Sequence, residues 1–383
     1  MNISININPM CDANKSGIGY YQTELVRNMA DLDSDNVYSF SRFRAKDPSR
    51  AVSPPEWLTE KGGCHQNNLM TMAVYQLICG FLPLPYSWFF KGSADISMFY
   101  NFFLPPVAKG KKVVVVYDTV INDFPETVKG RNKLLLKLNI RRSIKQADLV
   151  VTISQFSKQQ IMRYYGKSED KIIVISCAAD RNKFYPIDNF SVSDELKKRY
   201  GIPERYYLYL GTLEPRKNIS RLIEAYHAAL EKEPSLPMLV IAGGKGWLYD
   251  DIFNSVKKLN IEDKIVFTGY VRDEDVADLM RGARLFCFPS LYEGFGMPPL
   301  EAMACGTPVI TSDCSSLPEV VGECGIKVDP YSVENIADAL LRANNEDFYK
   351  EQRTAGLKQA DCFSWEKSAE KLLRRLELLT NDK

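Results

Sequence analysis

Histidine is nearly absent from this sequence, and cysteine occurs without any metal-binding spacing. The 383 residues include two histidines, His65 and His227, and nine cysteines that form no C-x-x-C pair. A histidine-rich metal site is therefore not expected, and neither is a zinc site or a disulfide framework. An odd number of scattered cysteines is typical of a reducing compartment. We expect neither a bound metal nor a cofactor.

The sequence also lacks a strong excess of positive or of negative side chains. Lysine and arginine number 49 and aspartate and glutamate 48, which gives a formal net charge of +1. This balance implies no bulk attraction to nucleic acid, so any affinity for an anionic surface must come from a local patch. The composition is ordinary for a soluble globular protein, and the length suffices for two domains of about 100–200 residues each.

Targeting and membrane-spanning segments are not expected either. The start, MNISININPM, lacks a basic region followed by an apolar run, so no signal peptide is predicted. Residues 67–90 carry no charge, but Gly80, Pro83 and Pro85 interrupt them, which argues against a continuous membrane-spanning helix. A buried helix and loop is favoured, and the alternative is an aromatic patch at a membrane interface. We predict a cytoplasmic protein, with peripheral contact at the inner face of the membrane left open.

Short apolar runs alternate with helical patterns along the chain, which predicts the α/β class. The runs lie at 112–117, 148–153, 206–210, 239–242, 264–267 and 285–289. The first strand, 2–8, leads to a loop with Gly17 and Gly19 and then to a helix from about Tyr20, as in a Rossmann-like half. Alternatively, the two glycines serve only a tight turn.

Residues 292–309, reading YEGFGMPPLEAMACGTPV, carry two acids, Glu293 and Glu301, with seven residues between them. Apolar runs on both sides predict a strand, a loop holding Gly294 and Gly296, a short helix and a strand. Backbone N–H groups at the start of a helix suit an anion such as a phosphate. Carboxylates on either side of it can accept hydrogen bonds from hydroxyls, which matches a nucleotide-sugar. The alternative is a turn, a capped helix and two solvated acids.

Charged side chains follow two other predicted strands. Arg216 and Lys217 come after the strand at 206–210, and Asp118 comes after the strand at 112–117. Ligands bind outside the carboxyl ends of parallel strands, and Arg and Lys are the side chains that hold phosphate oxygens. As isolated residues, the two cations would be ordinary surface charges.

The segment EGFGMPPLE resembles the E-x7-E signature of the retaining glycosyltransferases of family 4, and Arg216 and Lys217 match that family's R-K pair. The resemblance covers nearly the whole chain. It implies the GT-B fold, in which two Rossmann-like domains face each other across a cleft and a C-terminal helix crosses back to the N-terminal domain. We expect an acceptor-binding domain at residues 1–186, a nucleotide-sugar-binding domain at 187–363 and the crossover helix at 364–383.

The resemblance also implies roles for individual residues. It assigns catalysis to Asp118, Arg216, Lys217 and Glu293 without a metal, so the D-x-D spacing at residues 31–33 is interpreted as solvated acids at a helix end. Donor binding is assigned to Gly17, Gly19, Arg216, Lys217, Tyr270, Val271, Glu293, Gly294, Phe295, Gly296, Met297 and Glu301. The family usually has His before the aspartate at 118. Here Tyr117 stands in that place, and it either supplies a hydroxyl or merely packs.

Residues 129–145 predict a basic amphipathic helix. The basic residues, with no acid among them, are Lys129, Arg131, Lys133, Lys137, Arg141, Arg142 and Lys145. One interpretation is a solvated face above a core-facing leucine stripe. The other is a surface attracted to anionic lipid, at about 1 kcal/mol for each basic residue near the membrane. A lipid-linked acceptor would explain the second.

The expected function is transfer of a hexose, with retained configuration, from a nucleoside diphosphate sugar to a hydroxyl of a glycan or lipid-linked acceptor in bacterial surface polysaccharide assembly. The string from Gly244 to Trp247, GKGW, resembles the mannosyltransferase-like branch and favours GDP-mannose. Alternatives are a UDP-hexose donor, another enzyme of this fold such as a phosphorylase or epimerase, and a non-catalytic nucleotide-sugar-binding subunit. No nucleic-acid partner is expected.

Overall fold

The computed structural model describes residues 1–13, 17–128, 130–244, 246 and 250–381. It divides into two compact units. The first unit comprises Met1–Cys177 together with Ser364–Lys383, and the second comprises Ala178–Phe363. Each unit is an α/β structure built on a parallel sheet, as the alternating sequence pattern predicts.

The first unit contains a seven-stranded parallel sheet. Its strands are β1 (Asn2–Asn6), β2 (Val37–Arg44), β3 (Gly62–Thr71), β4 (Ile96–Phe99), β5 (Lys111–Val115), β6 (Leu149–Thr152) and β7 (Ile172–Val174). They lie in the order β3-β2-β1-β4-β5-β6-β7. Every residue of β4 and β6 is buried, which explains their apolar sequences. The strand order reverses between β1 and β4, and ligands bind at the carboxyl end of such a switch point.

The helices of the first unit connect and cover these strands. They are α1 (Gly17–Leu32), α2 (Glu56–Lys61), α3 (Met72–Phe81), α4 (Val120–Asp123), α5 (Gly130–Gln146) and α6 (Gln155–Tyr165). Ser154 caps the start of α6, because its hydroxyl oxygen accepts the Ser157 backbone N–H at 3.0 Å.

The second unit contains a six-stranded parallel sheet. Its strands are β8 (Tyr206–Leu210), β9 (Met238–Ala242), β10 (Ile265–Gly269), β11 (Leu285–Phe288), β12 (Val309–Ser312) and β13 (Ile326–Val328). They lie in the order β10-β9-β8-β11-β12-β13, which places the switch point between β8 and β11. The helices are α7 (Asp194–Tyr200), α8 (Ile219–Lys232), α9 (Asp250–Leu259), α10 (Asp273–Gly282), α11 (Met297–Ala304), α12 (Leu317–Val321), α13 (Val333–Ala343) and α14 (Glu346–Ala360).

The last helix, α15 (Trp365–Asn381), belongs to the first unit. The buried Trp365 ring lies edge-on to Tyr21 of α1, with ring centroids 5.5 Å apart. The Ser368 hydroxyl donates to the Ser176 carbonyl at 2.8 Å. The predicted crossover helix is thereby confirmed.

Residues 178–186 belong to the second unit, although the sequence places the domain boundary after Pro186. Arg281 of α10 donates from Nε to the Tyr185 carbonyl at 2.8 Å, and Arg181 pairs with Asp361 at 2.6 Å. These contacts explain why the first unit ends at Cys177.

The uncharged stretch at 67–90 forms the end of β3, the helix α3 and a loop. Within the described residues, no helix has the length and apolar character needed to cross a membrane. Buried residues of α3, such as Tyr75 and Cys79, join the hydrophobic core of the first unit. The predicted buried helix is therefore correct for one face of α3, while Phe81 on the same helix is 75% exposed.

Candidate active site

Arg216 and Lys217 lie at the carboxyl end of β8, in a 3-10 turn that spans Pro215–Lys217. The next residue, Asn218, adopts a left-handed conformation with φ 61°, which Asn tolerates better than most residues. Its buried side-chain amide donates to the carbonyls of Pro289 at 3.0 Å and Pro330 at 2.7 Å. Asn218 thus links the turn that carries the two cations to the segments that follow β11 and β13.

Glu293 lies in the loop that follows β11, the neighbour of β8 in the sheet. Its backbone N–H donates to the Ser315 hydroxyl oxygen at 3.1 Å. The Ser316 hydroxyl lies 2.9 Å from the Glu293 carbonyl and 2.6 Å from the Phe295 carbonyl. Two serines before α12 therefore hold the loop in place.

The side chains of Arg216, Lys217 and Glu293 meet directly. Lys217 Nζ donates to Glu293 Oε1 at 2.7 Å, and Arg216 Nη1 lies 3.1 Å from Glu293 Oε2. The side chains are only 19%, 12% and 11% exposed, respectively. Lys217 Nζ also lies 4.9 Å from the centroid of the buried Phe288 ring. The carboxylate thus bridges two cations in a mostly water-excluded place at the switch point.

The ionisation of these groups follows from burial and from their mutual attraction. Burial alone would raise the pKa of Glu293, but the charges of Arg216 and Lys217 lower it to about 2. Burial lowers the pKa of Lys217, and the neighbouring Glu293 carboxylate opposes that effect. Glu293 is therefore a carboxylate at every physiological pH, able to accept hydrogen bonds but not to donate one.

Glu214 completes the cluster and was not singled out by the sequence patterns. Arg216 Nη2 donates to Glu214 Oε1 at 2.7 Å. Two cations and two acids leave the cluster without net formal charge. Because a guanidinium has five N–H donors and an ammonium three, phosphate oxygens can be added without breaking every internal ion pair.

The loop after Glu293 leads into α11 and carries the predicted anion-binding amides. Gly296 has φ 122°, a conformation that L side chains rarely adopt, and a Cβ there would lie 2.8 Å from Leu317 Cδ2. Pro298 and Pro299 occupy the first turn of α11 and have no N–H. Any anion at this helix start would therefore meet the amides of residues 294–297.

Glu301 lies on α11 in surroundings different from those of Glu293. Burial is the largest cause that raises its pKa to about 7; Asp273 and Asp180 also raise it, while Lys183 lowers it. Lys183 itself pairs with Asp273 at 2.6 Å. The two acids of the E-x7-E segment therefore differ in ionisation at neutral pH. Glu293 is fully ionised, whereas Glu301 titrates near neutrality.

The remaining donor-site candidates of the second unit differ in the solvent exposure of their side chains. Tyr270 is 75% exposed, whereas Val271 and Phe295 are buried. The Phe295 ring lies edge-on to Phe363, with centroids 5.5 Å apart, so Phe295 can offer a ligand only its backbone. Met297 is half-buried at the start of α11. Lys245 and Trp247 of the GKGW string lie outside the described residues.

Three further candidates, Gly17, Gly19 and Asp118, lie in the first unit. The sequence places the two glycines in a loop, but α1 already begins at Gly17. Gly19 is buried within the helix, and its carbonyl accepts the Thr23 hydroxyl at 2.8 Å. The Asp118 carboxylate accepts the Val120 N–H at 3.1 Å, just beyond β5.

Tyr117 packs rather than offering a hydroxyl. Its ring lies edge-on to Tyr21 and Phe102, with centroids 5.4 Å away in each case. Its hydroxyl is buried and has no hydrogen-bond partner among the described residues. The replacement for the family's usual histidine is therefore a core side chain.

Several residues that build the site escaped the sequence patterns. Asn218, Ser315 and Ser316 act through hydrogen bonds to backbone groups far along the chain, and no local spacing signals such contacts. Glu214 offered a weak signal, since it precedes Arg216 by two positions in the same loop. Chemically, the arrangement can bind an anion through Arg216 and Lys217, and Glu293 can accept hydrogen bonds from hydroxyl groups.

Comparison with known proteins places these features in a family. The model described as Glycosyltransferase Family 4 matches residues 16–183, and the one described as Glycosyl transferases group 1 matches residues 192–359. The chain is 32% identical over 375 residues to O-antigen chain mannosyltransferase B of Escherichia coli, covering 95% of this chain and 96% of that protein. It is 33% identical over 237 residues to the serotype-specific mannosyltransferase WbdA of Escherichia coli, covering 61% of this chain and 29% of that protein.

The fold has solved counterparts. Sucrose-phosphate synthase from Thermosynechococcus elongatus matches over 100% of both chains with a TM-score of 0.76 and 20% identity. At this identity the likeness concerns the fold alone, which is the two-domain GT-B arrangement of Rossmann-like sheets.

Proposed function

The chain belongs to glycosyltransferase family 4, and from this premise we propose that it transfers mannose from GDP-mannose to a hydroxyl of a glycan or lipid-linked acceptor. The anomeric configuration is retained, and the product serves bacterial surface polysaccharide assembly. Mannose and polysaccharide assembly are supported by the two Escherichia coli relatives, one named O-antigen chain mannosyltransferase B and the other serotype-specific mannosyltransferase WbdA.

The buried cluster of Arg216, Lys217 and Glu293 is the observation that carries the proposal. A donor diphosphate bears two negative charges, and its oxygens can accept the N–H donors that Arg216 and Lys217 retain beyond their pairs with Glu214 and Glu293. As the bond between the sugar and the phosphate breaks, negative charge grows on the departing nucleotide. Fixed cations in a place of low dielectric stabilise that growing charge more than they stabilise the ground state.

The family resemblance supports the remaining roles of the proposal. Glu293 accepts hydrogen bonds from the donor sugar's hydroxyls, and Glu301 accepts them from the ribose. No nucleophile with a partner base is demanded, so the acceptor oxygen attacks on the face from which the phosphate leaves. The new bond forms from the acceptor oxygen to the anomeric carbon while the bond to phosphate breaks. The acceptor proton passes to the departing phosphate oxygen.

Product analysis tests this function. The purified protein is incubated separately with GDP-mannose and with UDP-glucose, each with and without an octyl mannoside acceptor. We expect a mannosylated product only with GDP-mannose plus acceptor, and NMR of that product should show the donor's own anomeric configuration. An inverted product would contradict the mechanism. Transfer to the acceptor from UDP-glucose but not from GDP-mannose would favour the alternative donor. Nucleotide binding without turnover would favour a non-catalytic subunit.

A membrane surface is the second part of the proposal, and α3 with its following loop supports it. Exposed apolar side chains lie there and at the preceding end of β3, between 40% and 76% exposed: Leu69, Val74, Leu77, Phe81, Leu82 and Trp88. Helix α5 packs against α3, with exposed Lys137, Arg141 and Lys145. Arg142 is different, because its Nη1 donates to the Cys79 carbonyl at 2.8 Å. Apolar and basic side chains together fit an anionic bilayer interface.

Vesicle flotation tests the membrane part. We expect binding to vesicles with anionic lipid and little binding to zwitterionic ones. Phe81→Ser should weaken it, whereas Leu378→Ser, which alters a 57% exposed leucine on α15, should not. Equal binding by both variants would remove this surface from the proposal.

A further inference from the structure

Glu214 is a mostly buried acid that takes no part in the proposed reaction. It lies between β8 and the turn Pro215–Lys217, and its side chain is 18% exposed. A residue that precedes proline favours extended backbone, and Glu214 has φ −148° and ψ 155°. Its carbonyl accepts the Lys217 N–H at 3.0 Å. The local sequence therefore fixes the backbone from which the Glu214 side chain reaches Arg216.

The Glu214 carboxylate holds one end of the Arg216 guanidinium. Arg216 Nη2 donates to Glu214 Oε1 at 2.7 Å, and the Arg216 side chain is 19% exposed. Burial raises the pKa of the nearby Tyr209 hydroxyl, Glu293 and Glu214 raise that pKa further, and Arg216 lowers it. Because Tyr209 is buried in β8, Glu214 points into the cluster rather than toward solvent.

The loop after β11 holds the other end of the guanidinium. Arg216 Nη1 donates to the Tyr292 carbonyl at 2.5 Å and lies 3.1 Å from Glu293 Oε2. The Arg216 carbonyl also accepts the Leu291 N–H at 2.9 Å. A guanidinium is planar, so contacts at both terminal nitrogens fix the direction of its plane. Removal of Glu214 would release Nη2 and let the plane turn about the Nη1 contacts.

Affinity for the donor disfavours an acid at this place. Lys217 already pairs with Glu293 at 2.7 Å, and a second carboxylate in the cluster repels a diphosphate. A neutral acceptor could hold Nη2 without that repulsion, but a charge-assisted hydrogen bond is about twice as strong as a neutral one. An acid at position 214 therefore favours a fixed guanidinium over the tightest binding of the nucleotide.

We propose that Glu214 is a positioning residue, which holds the Arg216 guanidinium in the orientation that serves the departing diphosphate and does so at a cost in diphosphate affinity. Groups that stabilise a transition state act best when they are already oriented before the reaction begins. The inference rests on the proposed function, because Arg216 is assigned there to the donor diphosphate.

Single-turnover kinetics with GDP-mannose and octyl mannoside tests the positioning role. Leucine at position 214 removes both the acceptor and the charge, whereas glutamine keeps an oxygen that can accept the Arg216 N–H. We expect Glu214→Leu to lower the transfer rate by about 30-fold or more, because a misplaced active-site group costs rate. Glu214→Gln should stay within about fivefold of the wild type. The control Glu224→Gln, at an exposed position of α8, should match the wild type.

Calorimetric titration of GDP supplies the second readout. Glu214→Gln removes a negative charge near the diphosphate, so we expect it to bind GDP about threefold more tightly than the wild type does. Glu214→Leu should bind GDP at least as tightly as the wild type. General damage to the loop would instead weaken GDP binding together with the transfer rate. A slower transfer without weaker GDP binding is therefore the expected signature of a positioning residue.

A double-mutant cycle shows whether Glu214 acts through Arg216. In an Arg216→Met background there is no guanidinium to hold, so Glu214→Leu should lower the transfer rate by less than about threefold. An equal loss in both backgrounds would overturn the proposal. Urea denaturation of each variant verifies the fold, and Glu214→Ser, too short to reach Nη2, replaces the leucine variant if that variant does not fold.

The remaining outcomes separate the positioning role from the proposed function. A transfer rate of Glu214→Leu within about twofold of the wild type would overturn the positioning role. GDP binding by Glu214→Gln that is unchanged or weaker would overturn it as well. Absence of transfer by the wild type would instead strike at the proposed function. The GDP affinities would then decide the inference, and tighter binding by Glu214→Gln would support it.

Discussion

Replacing Glu293 by glutamine should destabilise the second unit strongly at neutral pH. The carboxylate lies between Arg216 and Lys217 at 3.1 and 2.7 Å and is 11% exposed. Its pKa of about 2 in the folded protein lies well below the ordinary 4.5. A difference of that size corresponds to a stabilisation on the order of 3 kcal/mol, which the neutral amide cannot supply.

The pH dependence has a definite sign. A depressed carboxyl pKa stabilises the fold fully above the unfolded-state pKa, and the contribution is lost as the pH falls toward 2. The free-energy gap between wild type and Glu293→Gln should therefore be largest at pH 7. It should shrink by about 1 kcal/mol at pH 3.5, where an unfolded glutamate is mostly protonated but Glu293 is not.

Urea denaturation of both proteins at pH 7, 5 and 3.5 measures this gap. Glu224→Gln, which alters an exposed acid on α8 of the same unit, is the matched control and should stay within about 0.5 kcal/mol of wild type. A gap below about 1 kcal/mol at pH 7 would refute the reasoning, as would a gap that does not change with pH.

Three more predictions concern single substitutions. Lys217→Ala should lower kcat by about 100-fold or more, whereas Lys232→Ala on an exposed part of α8 should not; steady-state kinetics decides. Glu301→Gln should stabilise the protein by on the order of 3 kcal/mol at pH 8 but not at pH 4. The reason is that a raised carboxyl pKa, here about 7, weakens the fold as the pH rises from 4.5 to 7, and urea denaturation at both pH values checks this. Gly296→Ala should lower the free energy of unfolding by about 1–3 kcal/mol, since φ is 122° and Leu317 of α12 crowds the added Cβ. Gly17→Ala, whose Cβ would have nothing within 4 Å, should leave the free energy of unfolding nearly unchanged in the same urea denaturation assay.

The second sheet was largely predictable because its strands are continuous apolar runs. The prediction of 206–210 coincides with β8, and the prediction of 285–289 ends one residue beyond β11. The edge strand β3 was missed. It reads GGCHQNNLMT, and all of its residues are exposed or half-buried, so neither an apolar run nor strict alternation marks it. Its place is set by its parallel pairing with β2.

The residue types of the candidate site were predictable, but their pairing was not. The sequence predicts that Arg216 and Lys217 face a phosphate, and that role stays a prediction. In the structure both cations pair with Glu293, which lies 76 positions along the chain from Lys217. That contact depends on β8 and β11 being neighbours, which no local pattern specifies. Glu301, by contrast, is influenced by Asp180, Lys183 and Asp273 rather than by the cationic pair.

The central claim is that the Arg216–Lys217–Glu293 cluster holds the donor's diphosphate, and a thermodynamic cycle tests it most directly. The affinities of GDP and GMP are measured calorimetrically for wild type and for Lys217→Ala. The account predicts that the β-phosphate contribution falls by about 1.5–3 kcal/mol in the variant, as expected for a lost charge-assisted hydrogen bond. A β-phosphate contribution that is the same in both proteins, within about 0.5 kcal/mol, would contradict it.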